Sequence, residues 1–282
     1  MSLPGLPDVV LPRWGRVQAP QLRRTARRLR GSAPPARLLL TEAPRAAGEL
    51  AALGAAAPAL AVDRRGDGHA VLVLPGMLGG DLSTTSLRGY LRWLGYSVHG
   101  WKLGTNIGPT EAVVSRLRAR LDQLAESSGG PVSIVGWSLG GLYAYELARR
   151  APGSVRQVIT LGSPVQLARR SSTTTSQMFD RFSHLQVVPA AVPRPWTEAG
   201  TLRVPATALY TQSDGIVAWR SCLLPRAKRR QNVEVYGSHF GLAHNPTVLH
   251  VLADRLSQPE RTWRPFAPGP LVRQLYPPVR KR

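Results

Sequence analysis

A serine stands among glycines in the segment Gly136-Trp137-Ser138-Leu139-Gly140-Gly141. The pattern G-x-S-x-G suits a nucleophile carried on a sharp turn between a strand and a helix. Its neighbours fit that context: residues 132–135 read as a short buried strand running in, and 139–150 as a helix running out. Small residues at 136 and 140 let the backbone fold tightly, which lifts the serine hydroxyl clear of the sheet. The helix starting behind Ser138 adds the positive end of its dipole. The chemistry implied is attack by the serine oxygen on an electrophilic centre. Such a hydroxyl needs a base, and the charge it creates needs hydrogen-bond donors.

Six histidines compete for the base. His69 precedes a strand, His99 sits within one, His184 lies in an irregular stretch, and His250 falls on the last helix at core-like spacing. His239 and His244 remain, in a loop that follows the last strand and precedes the last helix, where a flexible segment can deliver an imidazole. His239 lies nearer the strand end with Gly237 and Gly241 on either side, and is read as the base. His244 is read as a polar loop residue or part of the helix cap. The group that orients the imidazole is read as Asp214, in Ser213-Asp214-Gly215-Ile216-Val217 just past a strand end. An Asp-Gly turn is commonplace by itself and gains meaning only beside the serine turn and the histidine loop. Glu234 and Asp254 are poorer choices, lying within a strand and a helix.

Positioning these groups requires a scaffold, and from His69 onward strands and helices alternate. That order implies an α/β protein with a mostly parallel central sheet flanked by helices on both faces. Strands are expected at 70–74, 96–101, 132–135, 155–161, 206–210 and 233–236. Helices are expected at 86–95, 109–127, 139–150 and 247–256; Val113, Leu117, Leu121 and Leu124 share one face of the second. The alternation fails between 161 and 205, where six consecutive hydroxyl residues (171–176) precede an amphipathic stretch at 177–188. Residues 164–204 are read as a small lid-like insertion within a core of 67–258. Residues 1–66 form an Arg/Pro/Ala-rich N-terminal arm, its Ala-rich part at 50–62 a helix or packing arm, and 259–282 a basic, Pro-rich tail that wraps the surface or frays.

The formal charge is +21, and all but Lys102, Lys228 and Lys281 of the 37 basic residues are arginine. The arginines are spread along the whole chain and accompany abundant Ala, Gly and Pro, a pattern in keeping with a GC-rich genome. No nucleic-acid-binding module accompanies them, so no specific nucleic acid partner is expected. Within the arm, Leu22, Ala26 and Leu29 share a helical face and arginines occupy the others. That is either a solvated basic helix or a weak contact with an anionic membrane surface. A single cysteine, Cys222, excludes an intramolecular disulfide framework and a cysteine-rich metal site and favours a cytoplasmic setting. Neither a signal peptide at the N-terminus nor an apolar run of roughly 18 residues is seen.

Over residues 69–257 the chain resembles the α/β-hydrolase superfamily, on the strength of the serine turn, Leu74-Pro75-Gly76-Met77-Leu78-Gly79-Gly80, and the order Ser138, Asp214, His239. The resemblance implies that the glycine-rich turn supplies an oxyanion donor, the amide of Met77, paired with that of Leu139. Many members carry His-Gly where this chain has Pro75-Gly76, a departure that spares a backbone donor. The segments around Asp214 and His239 are similar to those of polyhydroxyalkanoate synthases, whose nucleophile is cysteine where this chain has Ser138. That difference points to hydrolysis, and the closer resemblance is to bacterial esterases and lipases with a G-W-S-L-G-G turn. The activity implied is cleavage of small-molecule or lipid carboxylic esters through an acyl-enzyme on Ser138, with no cofactor and no metal. Acyl transfer, thioester cleavage and perhydrolysis use the same acyl-enzyme and are the alternatives, with a non-catalytic membrane-surface protein behind them. Leu78, Trp137, Ile216, Val217, Trp219 and Phe240, together with Met77, are expected to line an apolar substrate pocket.

Overall fold

The computed structural model describes residues 34–166, 202–260 and 262–278. Most of the 164–204 insertion and the basic helix expected at 21–30 lie outside the described residues. Six strands form one parallel sheet: β1 (Ala70–Leu74), β2 (Ser97–His99), β3 (Val132–Trp137), β4 (Val155–Leu161), β5 (Ala206–Tyr210) and β6 (Arg230–Glu234), in the order β2-β1-β3-β4-β5-β6. The described helices are α1 (Ala36–Leu40), α2 (Glu42–Leu60), α3 (Thr85–Trp93), α4 (Glu111–Ser127), α5 (Leu139–Arg150) and α6 (Pro246–Leu256). This is the α/β architecture expected from the alternation of elements.

The central strands are buried on both faces, so they read as continuous apolar runs. Alternate residues serve opposite cores. Ala70, Leu72 and Leu74 of β1 join Val132 and Ile134 of β3 against α4 and α5. Val71 and Val73 join Val135, Ile159 and Leu161 against α3, α6 and the apolar end of α2. Side-chain caps start two of the helices. Thr110 accepts a hydrogen bond from the Val113 amide ahead of α4, and Asn245 accepts from Thr247 and Val248 ahead of α6, where Pro246 takes the first helical position.

The last strand covers 230–234 where the apolar residues alone marked 233–236. It is an edge strand, and its polar residues Arg230, Gln231 and Asn232 pair with β5 through their backbones, which side-chain patterning does not register. The second strand is also shorter than expected, three residues at the opposite edge.

Both ends of the chain reach further into the fold than their composition indicates. Residues 36–60, grouped with the N-terminal arm on composition, form two helices, and Leu53, Ala56 and Leu60 of α2 pack into the second core. Of the segment read as a tail, Phe266 and Tyr276 are buried against His250 and the same core. Arginine and proline dominate the composition of these segments, and a few apolar side chains at the right spacing decide where they pack. Phe266→Ala is expected to lower the unfolding free energy by about 3 kcal/mol in urea denaturation, the loss typical of a buried aromatic. A frayed tail would give no change.

Candidate active site

The sheet order reverses direction at β1 and β3, so the loops leaving their carboxyl ends diverge and open a crevice, the usual binding place of such sheets. Ser138 stands at that point, directly after β3. Its backbone has φ 52° and ψ −120°, a conformation a non-glycine residue adopts at a cost of about 1–3 kcal/mol. Close packing holds it there. A Cβ on Gly140 would lie 2.3 Å from the Leu74 carbonyl oxygen, and one on Gly136 would lie 2.4 Å from that of Gly140, so only glycine lets α5 start so near the sheet. The Ser138 amide donates to the Leu161 carbonyl at the end of β4, 2.8 Å away.

Two loops bring partners to the hydroxyl. Ser138 Oγ lies 3.0 Å from His239 Nε2, and His239 Nδ1 lies 2.7 Å from Asp214 Oδ2. An ionised carboxylate can only accept, so Nδ1 carries the proton and Nε2 accepts from the serine. The other carboxylate oxygen of Asp214 accepts from the amides of Ile216 and Val217 at 2.8 and 2.6 Å, which fixes the aspartate independently of its bond to the histidine. Both Asp214 and His239 are buried. Burial pulls the His239 imidazole down, but the charge and hydrogen bond of Asp214, with a further contribution from Glu42, lift it overall above the ordinary 6.5. Ser138, Asp214 and His239, picked out separately in the sequence, thus meet in one hydrogen-bonded chain.

The loop after β1 lies against this group. A Cβ on Gly76 would sit 3.2 Å from Ser138 Cβ. The next turn is tied down by a residue that sequence reasoning passed over, the buried Asn106. Its side-chain amide donates to the Pro75 carbonyl at 3.0 Å, and its backbone exchanges hydrogen bonds with Leu78 and Gly79 at 2.7 and 2.8 Å. Tyr143 of α5 donates to its side-chain oxygen at 3.2 Å. These bonds engage the amide of Leu78 and the carbonyl of Gly79, whose own amide donates to the Gly76 carbonyl at 3.1 Å. Among the described residues the amides of Met77 and Leu139 are not so engaged, the state an oxyanion site requires.

The residues expected to line a pocket divide. Leu78 and Phe240 are 52% and 44% exposed, the second edge-on to the His239 ring. Trp137 points the other way: its indole donates to the His239 carbonyl at 3.1 Å and its ring packs on the second core, so it braces the histidine loop. Ile216, Val217 and Trp219 pack with Tyr210 and Cys222 in a small cluster that supports the aspartate loop. An apolar residue beside a loop has two faces to choose from, and the sequence does not distinguish them. His244, the alternative base, donates to the Ala46 carbonyl at 2.9 Å and does not reach the serine.

A second aspartate–histidine–serine chain lies at the other end of the sheet, where His69 bridges Asp67 and Ser133, the latter 2.8 Å away. Ser133 is buried inside β3, beside a shift in register with β4 at Val132, and burial pulls the His69 imidazole down. With neither a strained turn nor a helix terminus behind the serine, this chain is a way of satisfying buried polar groups. Among the described residues no group of histidine, cysteine, aspartate and glutamate could hold a metal ion, and no helix is long and apolar enough to cross a membrane.

The fold is that of the α/β-hydrolases. A pyrethroid hydrolase from Sphingobium faniae superposes with a TM-score of 0.52 at 16% identity, over 69% of this chain and 99% of that one. Aspergillus fumigatus lipase B superposes with a TM-score of 0.50 at 18% identity, over 67% of this chain and 52% of the lipase, so the match spans about half the lipase's length. No family model and no curated protein matches the sequence.

In an NMR titration the His239 imidazole is expected to have a midpoint above 6.5. In Asp214→Asn it should fall below that of the wild type, since burial is then less opposed. Because the folded value is the higher, the imidazolium contributes stability that is fully present below about pH 6.5 and lost as pH rises through the folded midpoint.

Proposed function

We propose that this protein is a serine hydrolase that cleaves carboxylic esters through an acyl-enzyme on Ser138, with His239 as base and Asp214 as its orienting partner. The observation that carries this reading is the unbroken chain from Ser138 Oγ through His239 to Asp214, with the serine raised on a strained turn at the mouth of the sheet crevice. His239 Nε2 takes the hydroxyl proton as Oγ attacks the ester carbonyl, and the imidazolium is stabilised by the carboxylate 2.7 Å from Nδ1. The amides of Met77 and Leu139 receive the oxyanion. Its collapse breaks the bond to the alcohol, which leaves with the proton from Nε2. Water then gives a proton to His239, attacks the acyl-enzyme, and releases the acid and the serine.

Leu78 and Phe240, apolar and exposed beside the relay, favour an acyl group with hydrocarbon character over a sugar or a phosphate. The names of the two fold neighbours, a lipase and a pyrethroid hydrolase, are in keeping with this reading at the level of fold.

Hydrolysis of p-nitrophenyl esters of increasing acyl length tests the proposal. The wild type is expected to turn them over, with Ser138→Ala lowering kcat by at least about 10³-fold. Turnover that survives in Ser138→Ala would overturn the assignment of the nucleophile. Activity confined to the shortest chains would remove the apolar acyl site.

A further inference from the structure

The N-terminal half of α2 carries three charged residues, Glu42, Arg45 and Glu49, at helical positions i, i+3 and i+7, one face of the helix. Each reaches loops far along the chain. Glu42, 1% exposed, accepts from the amide of Gly215 at 2.7 Å with one oxygen and from that of Phe240 at 3.0 Å with the other. Those amides neighbour Asp214 and His239 in sequence. Arg45 pairs with Glu42 at 2.9 Å and donates to the carbonyls of Ser213 and Gly237 at 2.8 and 3.2 Å, again one from each loop. Glu49 accepts from the amide and hydroxyl of Ser238 at 2.7 and 2.6 Å and from Asn245 at 2.8 Å.

We propose that Glu42, Arg45 and Glu49 are positioning residues of the reaction: Glu42 and Arg45 tie the aspartate loop to the histidine loop at the separation the Ser138–His239–Asp214 chain requires, and Glu49 anchors the histidine loop to α2. The aspartate loop follows β5 and the histidine loop follows β6. Past the strand ends the Val235 amide still donates to the Tyr210 carbonyl at 2.9 Å and the Thr211 hydroxyl to the Gly237 carbonyl at 3.1 Å. Nearer Asp214 and His239 the sheet pairing has ended. One carboxylate and one guanidinium with a bond to each loop carry the connection on to the residues beside Asp214 and His239. Burying Glu42 is tolerated because Arg45 and two amides satisfy it. Burying it there also places a second negative charge near His239, in addition to Asp214. Among the described residues the groups touching the imidazole besides Asp214 are neutral, the Ser138 hydroxyl and the Phe240 ring, with the Trp137 indole at the histidine backbone. Glu49, bonded to Ser238, is a further carboxylate beside the loop. Arg45 is the nearby cation, neutralised in part by Glu42.

This inference rests on the ester-hydrolase reading only for its kinetic test. Glu42→Gln keeps the shape, removes the charge and leaves one of the two amides without a good acceptor. It is expected to lower kcat by about 10- to 100-fold, the scale of a small displacement of reacting groups, with little change in KM. It is also expected to move the NMR titration midpoint of His239 to lower pH, because a charge favouring the imidazolium is gone. Glu49→Gln should lower kcat with a smaller shift in that midpoint. Leu53→Ala is the control: it lies on the same stripe but packs on the core, and should reduce stability while leaving kcat and the midpoint unchanged. Folded Glu42→Gln protein with the wild-type midpoint and, where the wild type turns over, the wild-type kcat would overturn the proposal, as would Leu53→Ala reproducing the Glu42→Gln changes. The midpoint needs no substrate, so it decides the inference even if ester hydrolysis fails. That failure would show separately, as no wild-type turnover for Ser138→Ala to abolish.

Discussion

The backbone of Ser138 cannot hold its conformation alone. At φ 52° and ψ −120° it sits where an L-residue is strained, and an isolated peptide would leave that region. The parallel register of three strands keeps it in place. Because β3 lies between β1 and β4, the carbonyl of Leu161 is within reach of the serine amide on one side, and the end of β1 packs under Gly140 on the other. The strain is offset by the cohesion of the sheet, whose central strands are buried on both faces. The same arrangement brings the loop after β1 beside the hydroxyl, so the placement of Ser138 and that of the Met77 and Leu139 amides share one origin.

The second requirement is electrostatic. An imidazole and two carboxylates are buried close together, where an unsatisfied charge would be costly. Each carboxylate is satisfied in a similar way, by two backbone amides and one side chain. For Asp214 these are Ile216, Val217 and the imidazole; for Glu42 they are Gly215, Phe240 and Arg45. The paired solutions stiffen the aspartate loop from both sides. Hydrogen bonds of this kind gain strength in a low-dielectric setting, and they also specify a single arrangement, since any shift would strand a charge. The contrasting chain through Asp67, His69 and Ser133 has similar hydrogen bonds but a serine inside a strand, with no helix starting behind it. Proximity of the three residue types is therefore not sufficient. The strained turn and its helix distinguish the site.

Local patterning made Ser138, His239 and Asp214 stand out in the sequence as members of one site, because each is marked by its immediate neighbours. Ser138 is ringed by glycines after an apolar strand, His239 lies between Gly237 and Gly241, and Asp214 follows the end of β5. Asn106 carried no such mark. It sits in an irregular stretch, and its importance comes from four hydrogen bonds that exist only when the loop after β1 and α5 are in place. Glu42 is separated by 173 and 198 residues from the amides it holds, and in an Ala- and Arg-rich segment it looks like any solvated charge. The available signal was the stripe Glu42, Arg45, Glu49, Leu53, Ala56 and Leu60 at helical spacing, half charged and half apolar. Its charged half reads as solvent-facing until the loops are known to cover it.

The sequence by itself determined the alternation of strands and helices, the faces they bury and the three side chains, Ser138, Asp214 and His239, that meet at the end of β3. These follow from local periodicity and turn chemistry, which are properties of neighbouring residues. Only the tertiary structure decided which way Trp137, Ile216 and Trp219 point, that the first helices and the last aromatic residues belong to the core, and that buried charges on α2 hold the two loops. Those outcomes depend on contacts between segments far apart in the chain, and an apolar or charged side chain carries no local label for the partner it will meet.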